Sequence, residues 1–225
     1  MDETTNPSLE ISPELSPELR LSRFTRGERW THRTTAILTM VLIGTAAALY
    51  IPDISAIVGN RPILRNVHII SGLLLPIPII AAIFLKAFRS DASTLNRFTP
   101  DDWRWLRSRK RRSGTIPVGK FNAGQKLNAA FTLGSIIIMF VTGLIMWQNS
   151  FFTDDIRTGA TFVHDWLTFA IVAVVAGHTW MAMNDVEARR SMRTGSASVR
   201  WAQREHSEWA EEELKGMEQR EAVDR

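Results

Sequence analysis

Four stretches of this chain carry almost no charge over the length a bilayer demands, and that feature leaves few folds open to it. Residues 34–52 (TTAILTMVLIGTAAALYIP), 66–85 (NVHIISGLLLPIPIIAAIFL) and 127–149 (LNAAFTLGSIIIMFVTGLIMWQN) contain no Lys, Arg, Asp or Glu, and residues 158–184 contain only Asp165. Crossing a hydrocarbon core takes roughly 20 helical residues at about 1.5 Å each. Helices buried in a soluble domain normally keep a polar stripe at helical spacing, and none of the four blocks has a continuous one. The sequence therefore predicts an all-α integral membrane protein, with four transmembrane helices at about 33–51, 66–88, 126–149 and 158–184 forming one bundle over residues 21–185. Pro76 and Pro78 fall inside the second helix. Neighbouring helices in a bundle can re-satisfy the carbonyls that proline frees, so a kink is expected and not a break.

Charge outside the blocks sets an orientation. Lys and Arg crowd the segment before helix one (Arg20, Arg23, Arg26, Arg29, Arg33), the connection between helices two and three, and the tail after Asn184. The other two connections hold only Arg61, Arg65 and Arg157. Basic residues stay on the cytoplasmic side, which places both termini and the long middle connection there, in a bacterial inner membrane. The run RSRKRR at 107–112 reads as this topology signal in contact with anionic headgroups, not as a nucleic-acid patch. Residues 1–20 are acidic and rich in Pro and Ser, lack the pattern of a signal peptide, and read as a disordered cytoplasmic tail. Residues 186–225, with Trp201 and Trp209 eight apart amid alternating charges, read as a cytoplasmic amphipathic C-terminal helix on the membrane surface or on a partner.

Histidine placement narrows the function. His164 and His178 are fourteen residues apart in the fourth block. That interval rises about 21 Å and falls about 40° short of four full turns, so the two share a face near opposite membrane surfaces. His68 lies three residues inside helix two, near the outer side, and His32 just before helix one, near the cytoplasmic side. Depth thus pairs His68 with His164 and His32 with His178. A lone histidine within a span is usually an interhelical hydrogen-bonding group, but two matched pairs point to a ligand role. Zinc would want four converging ligands, and the absence of cysteine excludes disulfides, iron–sulfur ligation and covalent haem attachment. Two imidazoles per level suit axial ligation of haem b, two haems in all, with no open iron position and hence electron transfer in place of oxygen chemistry. Gly72, one turn beyond His68, could make room for a macrocycle, or could serve ordinary close helix packing. His206 matches neither level and reads as a surface histidine.

The four histidines, together with VGKFNAGQK at 118–126, VTGLIMW at 141–147 and SVRWAQREHSEW at 198–209, resemble the cytochrome b (gamma) subunit of membrane-bound respiratory formate dehydrogenases, over roughly residues 22–212. The resemblance implies a membrane anchor that carries electrons from an iron–sulfur subunit on the outer face, served by a molybdenum- or tungsten-containing catalytic subunit, to a quinone, usually menaquinone, near the cytoplasmic face. Formate chemistry would belong to the partner, leaving no catalytic residue for it here. By the same resemblance His68 and His164 hold the outer haem and His32 and His178 the inner one, while the quinone pocket falls at His178, Asn122, Gly124 and Gln125. Amide side chains at a helix start can hydrogen-bond quinone oxygens, although Asn122 is equally placed to cap helix three. Three alternatives stay open at this stage: the cytochrome b subunit of a membrane-bound hydrogenase, a stand-alone di-haem b oxidoreductase, and a haem-free anchor.

Overall fold

The computed structural model describes residues 19–109, 115–148 and 150–223. The N-terminal tail as far as residue 18, and Lys110, Arg111 and Arg112 of the basic run, lie outside the described residues. The chain divides into two compact units: Thr25–Arg97 with Gly124–Asn184, and a second built from the residues up to Phe24, Phe98–Ala123 and the segment from Asp185 onward.

The first unit holds the membrane helices. Helix α1 (Arg26–Tyr50) starts where a capping box satisfies its first N–H groups: the Thr25 hydroxyl accepts from Glu28 N–H, and the Glu28 carboxylate accepts from Thr25 N–H. That start precedes the hydropathy-based boundary by two turns, so His32 lies inside α1 and not before it. Short α2 (Pro52–Val58) ends on Gly59, whose left-handed backbone (φ 69°) suits a residue without Cβ. Helix α3 (Arg61–Leu74) opens on the Asn60 side chain, which accepts from Ile63 N–H. It runs into α4 (Ile77–Ala82) through Leu75 and Pro76, both still in right-handed helical conformation. The prolines therefore interrupt the hydrogen-bond ladder without ending the span, and Arg61–Ala82 serves as one membrane-length element. Lys86 begins a separate helix, α5 (Lys86–Leu95), so the second span ends earlier than residue 88. The third and fourth spans are α7 (Ala123–Trp147), preceded by α6 (Pro100–Arg107) of the other unit, and α8 (Asp154–Met183).

The surface of these spans is inverted relative to a water-soluble bundle. Large apolar side chains point outward (Ile37, Met40, Ile70, Ile137 and Trp180 are all more than half exposed), while Thr31, Thr45, Ser71, Ser135 and Thr142 are buried. Hydrocarbon outside and hydroxyls inside is the arrangement a bilayer selects, because lipid neither repels apolar groups nor satisfies polar ones. The protein is a multi-pass membrane protein with four membrane-length helical elements among the described residues.

The second unit is closed by a two-stranded ladder: β1 (Arg20–Ser22) pairs antiparallel with β2 (Ser196–Ser198), with Leu21 opposite Ala197. Leading into β2, α9 (Val186–Thr194) ends on Gly195 (φ 94°), whose carbonyl accepts from the N–H groups of Arg23 and Phe24. The C-terminal segment is thus more divided than the sequence suggests, continuing as α10 (Val199–Glu205) and α11 (Ser207–Val223). Its tryptophans face inward: Trp201 and Trp209 pack with Leu21, Ala197, Val199, Ala202 and Ala210 in one buried cluster. His206, expected at the surface, is 1% exposed. Its Nδ1–H donates to the Gly119 carbonyl, and its Nε2 accepts from Arg23, whose guanidinium stacks over Trp201 4.7 Å from the ring centre. A histidine held between a carbonyl and a guanidinium needs no water, and so it sits in the core. On the solvent-facing side of α11 Glu211 and Lys215 pair one turn apart; that hydrogen bond pushes the carboxyl down and the ammonium up from their ordinary values.

Candidate functional site

Two histidine pairs form inside the membrane unit. His68 of α3 and His164 of α8 have ring centroids 6.3 Å apart, and His32 of α1 and His178 of α8 likewise stand 6.3 Å apart. The structure thus brings together the partners that depth alone predicts. Helix α8 runs unbroken from Asp154 to Met183, so His164 and His178 keep the regular helical interval.

The separation has a chemical meaning. Imidazole nitrogens bind a first-row metal at about 2.0–2.1 Å and the ring centre lies roughly 1.1 Å behind, so two rings on opposite sides of one ion have centroids about 6.2–6.4 Å apart. A direct hydrogen bond between the two rings would draw their centroids to roughly 5.1 Å. Both pairs thus stand at a centroid separation compatible with one metal ion held between two imidazoles. Among the described residues no cluster of three or more His, Cys, Asp or Glu exists that could complete a protein-only metal site. A pair of imidazoles with no third protein ligand at hand is the donor set that would hold a haem b.

The surroundings of the first pair reinforce this. Thr45 Oγ1 of α1 lies 2.9 Å from His68 Nδ1, and Thr142 Oγ1 of α7 lies 2.9 Å from His164 Nδ1. All four spans thus meet at this level, two through histidines and two through hydroxyls. Beside His164, a Cβ built on Gly143 would stand 3.6 Å from the ring's Cε1. Gly72, singled out from the sequence, instead looks towards α1, where a Cβ would meet only the Leu42 methyl at 3.9 Å. Thr45 carried no signal in the sequence, and Thr142 and Gly143 lay within the VTGLIMW run without a role of their own, since hydroxyls in spans commonly back-bond within their helix.

The amide positions are split between the units. Gly124 and Gln125 occupy the first turn of α7 in the membrane unit, while Asn122 belongs to the other. All three are half-buried, and Asn122 and Gln125 each have a partner within the fold. Next along α7, Lys126 is buried and donates to the Arg97 carbonyl at 3.0 Å.

Comparison with known proteins agrees with this reading of the bundle. The family described as prokaryotic cytochrome b561 matches residues 23–195. A protein of Haemophilus influenzae named formate dehydrogenase, cytochrome b556 subunit, is 27% identical over 213 residues, covering 89% of this chain and 87% of its own length. The Escherichia coli protein named formate dehydrogenase, cytochrome b556(fdo) subunit, is 23% identical over 88% of this chain and 95% of its own. Another Escherichia coli protein, the nitrate-inducible formate dehydrogenase cytochrome b556 subunit, is 30% identical over a shorter stretch of 98 residues, 42% of this chain and 45% of its own.

Proposed function

This chain belongs to the prokaryotic cytochrome b561 family, and on that premise we propose that it is the di-haem b membrane subunit of a respiratory formate dehydrogenase. The observation that carries the reading is the equal 6.3 Å spacing of two histidine pairs on one continuous α8. The near full-length likeness to formate dehydrogenase cytochrome subunits supports the choice of complex. In this reading His68 and His164 would hold one haem b, and His32 and His178 the other. Haem b held by two histidines supplies reversible one-electron transfer and offers no vacant iron position to oxygen or substrate.

The chain's own residues do the rest. The spans hold the two ligand levels about 21 Å apart by helix rise and keep water from them with an apolar outer face. The distribution of Lys and Arg supports cytoplasmic termini, which puts the His68/His164 level towards the outer face of the inner membrane and the His32/His178 level towards the cytoplasm. Electrons would then enter from an iron–sulfur subunit on the outer face, fed by a molybdenum- or tungsten-containing catalytic subunit, and leave to a quinone such as menaquinone near the cytoplasmic face. Asn122, Gly124 and Gln125 at the start of α7, with His178, are the proposed quinone-side residues, the amides supplying hydrogen bonds to the quinone oxygens and a water-linked route for protons.

The experiment is purification of the native complex from membranes. The expected result is b-type haem near two per chain, co-purifying large and iron–sulfur subunits, and formate-driven quinone reduction. His164→Ala and His178→Ala should each lower haem content from two to one. A haem-free native complex would sink the proposal, and hydrogen-oxidising partners would reassign it to a hydrogenase.

A further inference from the structure

The two histidine pairs differ in what stands behind their rings. At the His68/His164 level, proton counting fixes the hydrogen-bond roles. A threonine hydroxyl has one proton. Thr45 gives its proton to the Val41 carbonyl at 2.8 Å, and Thr142 gives its own to the Ile138 carbonyl at 2.7 Å. With the hydroxyl protons so placed, each oxygen keeps lone pairs for its histidine, an arrangement that assigns the ring proton to Nδ1 in both His68 and His164. Nε2 is then the free lone pair on each ring. Thr45 and Thr142 are 9% and 7% exposed, so water does not compete for these bonds. At the other level, no hydrogen bond to either the His32 or the His178 ring is present among the described residues.

An acceptor on the far nitrogen of a metal-bound imidazole pushes electron density on to the ligating nitrogen and fixes the ring's orientation. A more basic axial ligand favours ferric over ferrous iron. We infer that Thr45 and Thr142 are positioning residues that hold the haem at the His68/His164 level at a lower reduction potential than the haem at the His32/His178 level. This rests on the di-haem reading above. The step it bears on is passage of one electron from ferrous iron at the first level to ferric iron at the second. No proton moves and no bond is made or broken, and the electron comes from the iron–sulfur partner. The two hydroxyls make that passage downhill.

The test is a potentiometric titration of the haem absorbance bands in the purified complex, with haem content measured on each preparation. Thr45→Val and Thr142→Val remove one acceptor each at nearly constant volume; Thr45→Ser and Thr142→Ser restore the hydroxyl. The expected result is a rise in the lower of the two midpoint potentials in each valine variant, a larger rise in the double variant, an unmoved upper potential, and return of the lower one with serine. Two bound haems with unchanged potentials, or movement of the upper one alone, overturns the inference. Loss of one haem from every valine variant overturns it too, since the hydroxyls would then be holding the ring in place without setting its potential. A wild-type complex with no haem would instead overturn the di-haem reading itself.

Discussion

Replacing Arg23 by Met isolates the charge at the centre of the C-terminal core. Arg23 is 3% exposed. Its Nη2 donates to His206 Nε2 and to the Lys120 carbonyl, both at 3.0 Å, and its guanidinium lies over Trp201 and Trp209 at 4.7 and 5.6 Å. Methionine keeps an apolar stem of similar reach but removes both donors and leaves a buried imidazole nitrogen without its proton source. Hydrogen bonds from a charged donor contribute about 1.5–3 kcal/mol each, and the cation over aromatic faces about 0.5–2 kcal/mol. Against these stands the several kcal/mol no longer spent on desolvating the guanidinium. The net expected loss is about 2–4 kcal/mol, which speeds opening of this core roughly 30-fold to several hundred-fold. Hydrogen exchange followed by mass spectrometry on the detergent-solubilised protein reads that change directly in the amides of Trp201–Ala210. Lys215→Met, which breaks only a solvent-exposed pair, serves as the control and should shift those amides by no more than about twofold. Exchange in Arg23→Met within about threefold of the parent protein would refute the assignment of this core to the arginine.

Two further outcomes follow from the membrane unit and its flank. Gly143→Leu places a branched side chain where even a Cβ comes within 3.6 Å of His164, so haem content should fall from two towards one while the His32/His178 haem keeps its spectrum. Asn122→Ala and Gln125→Ala should slow electron delivery to a menaquinone analogue at least tenfold while both haems stay bound and reducible; unchanged quinone kinetics in both variants would remove these amides from the quinone site.

The bundle was legible because hydropathy and helix rise are local properties. Fourteen residues along one helix fix two depths, and His32 and His68 fall to the matching depths by counting from the ends of their own blocks. Helix starts were less legible. An apolar block ends at the last charged residue, but the hydrogen-bond ladder continues to the first good cap: Thr25 with Glu28 for α1, Asn60 for α3. The T-x-x-E at 25–28 was there to be read, and it carries His32 into α1. The roles of Thr45 and Thr142 were illegible for a different reason. What a hydroxyl in a span does depends on which helix faces it, and no single block contains that. The same holds for Trp201, Trp209 and His206. Their charged neighbours suggest a surface helix, and residues distant in the chain, Leu21 and Arg23 with the Gly119 carbonyl, turn them into a core.

That distance along the chain also governs when this core can exist. Arg20 reaches Ser196 across 176 residues, and the ladder between β1 and β2 closes over everything in between, all four spans included. At a synthesis rate of about 5–20 residues per second, the first strand waits roughly 9–35 s for its partner. Until then Leu21 lacks the tryptophans it packs with and Arg23 lacks His206, because Trp201, Trp209 and His206 have not been made. A chain that stalls or is cleaved after α8 keeps every span and both histidine pairs, yet leaves its N-terminal strand unpaired. Completion of the ladder therefore marks a chain whose last span has already been synthesised.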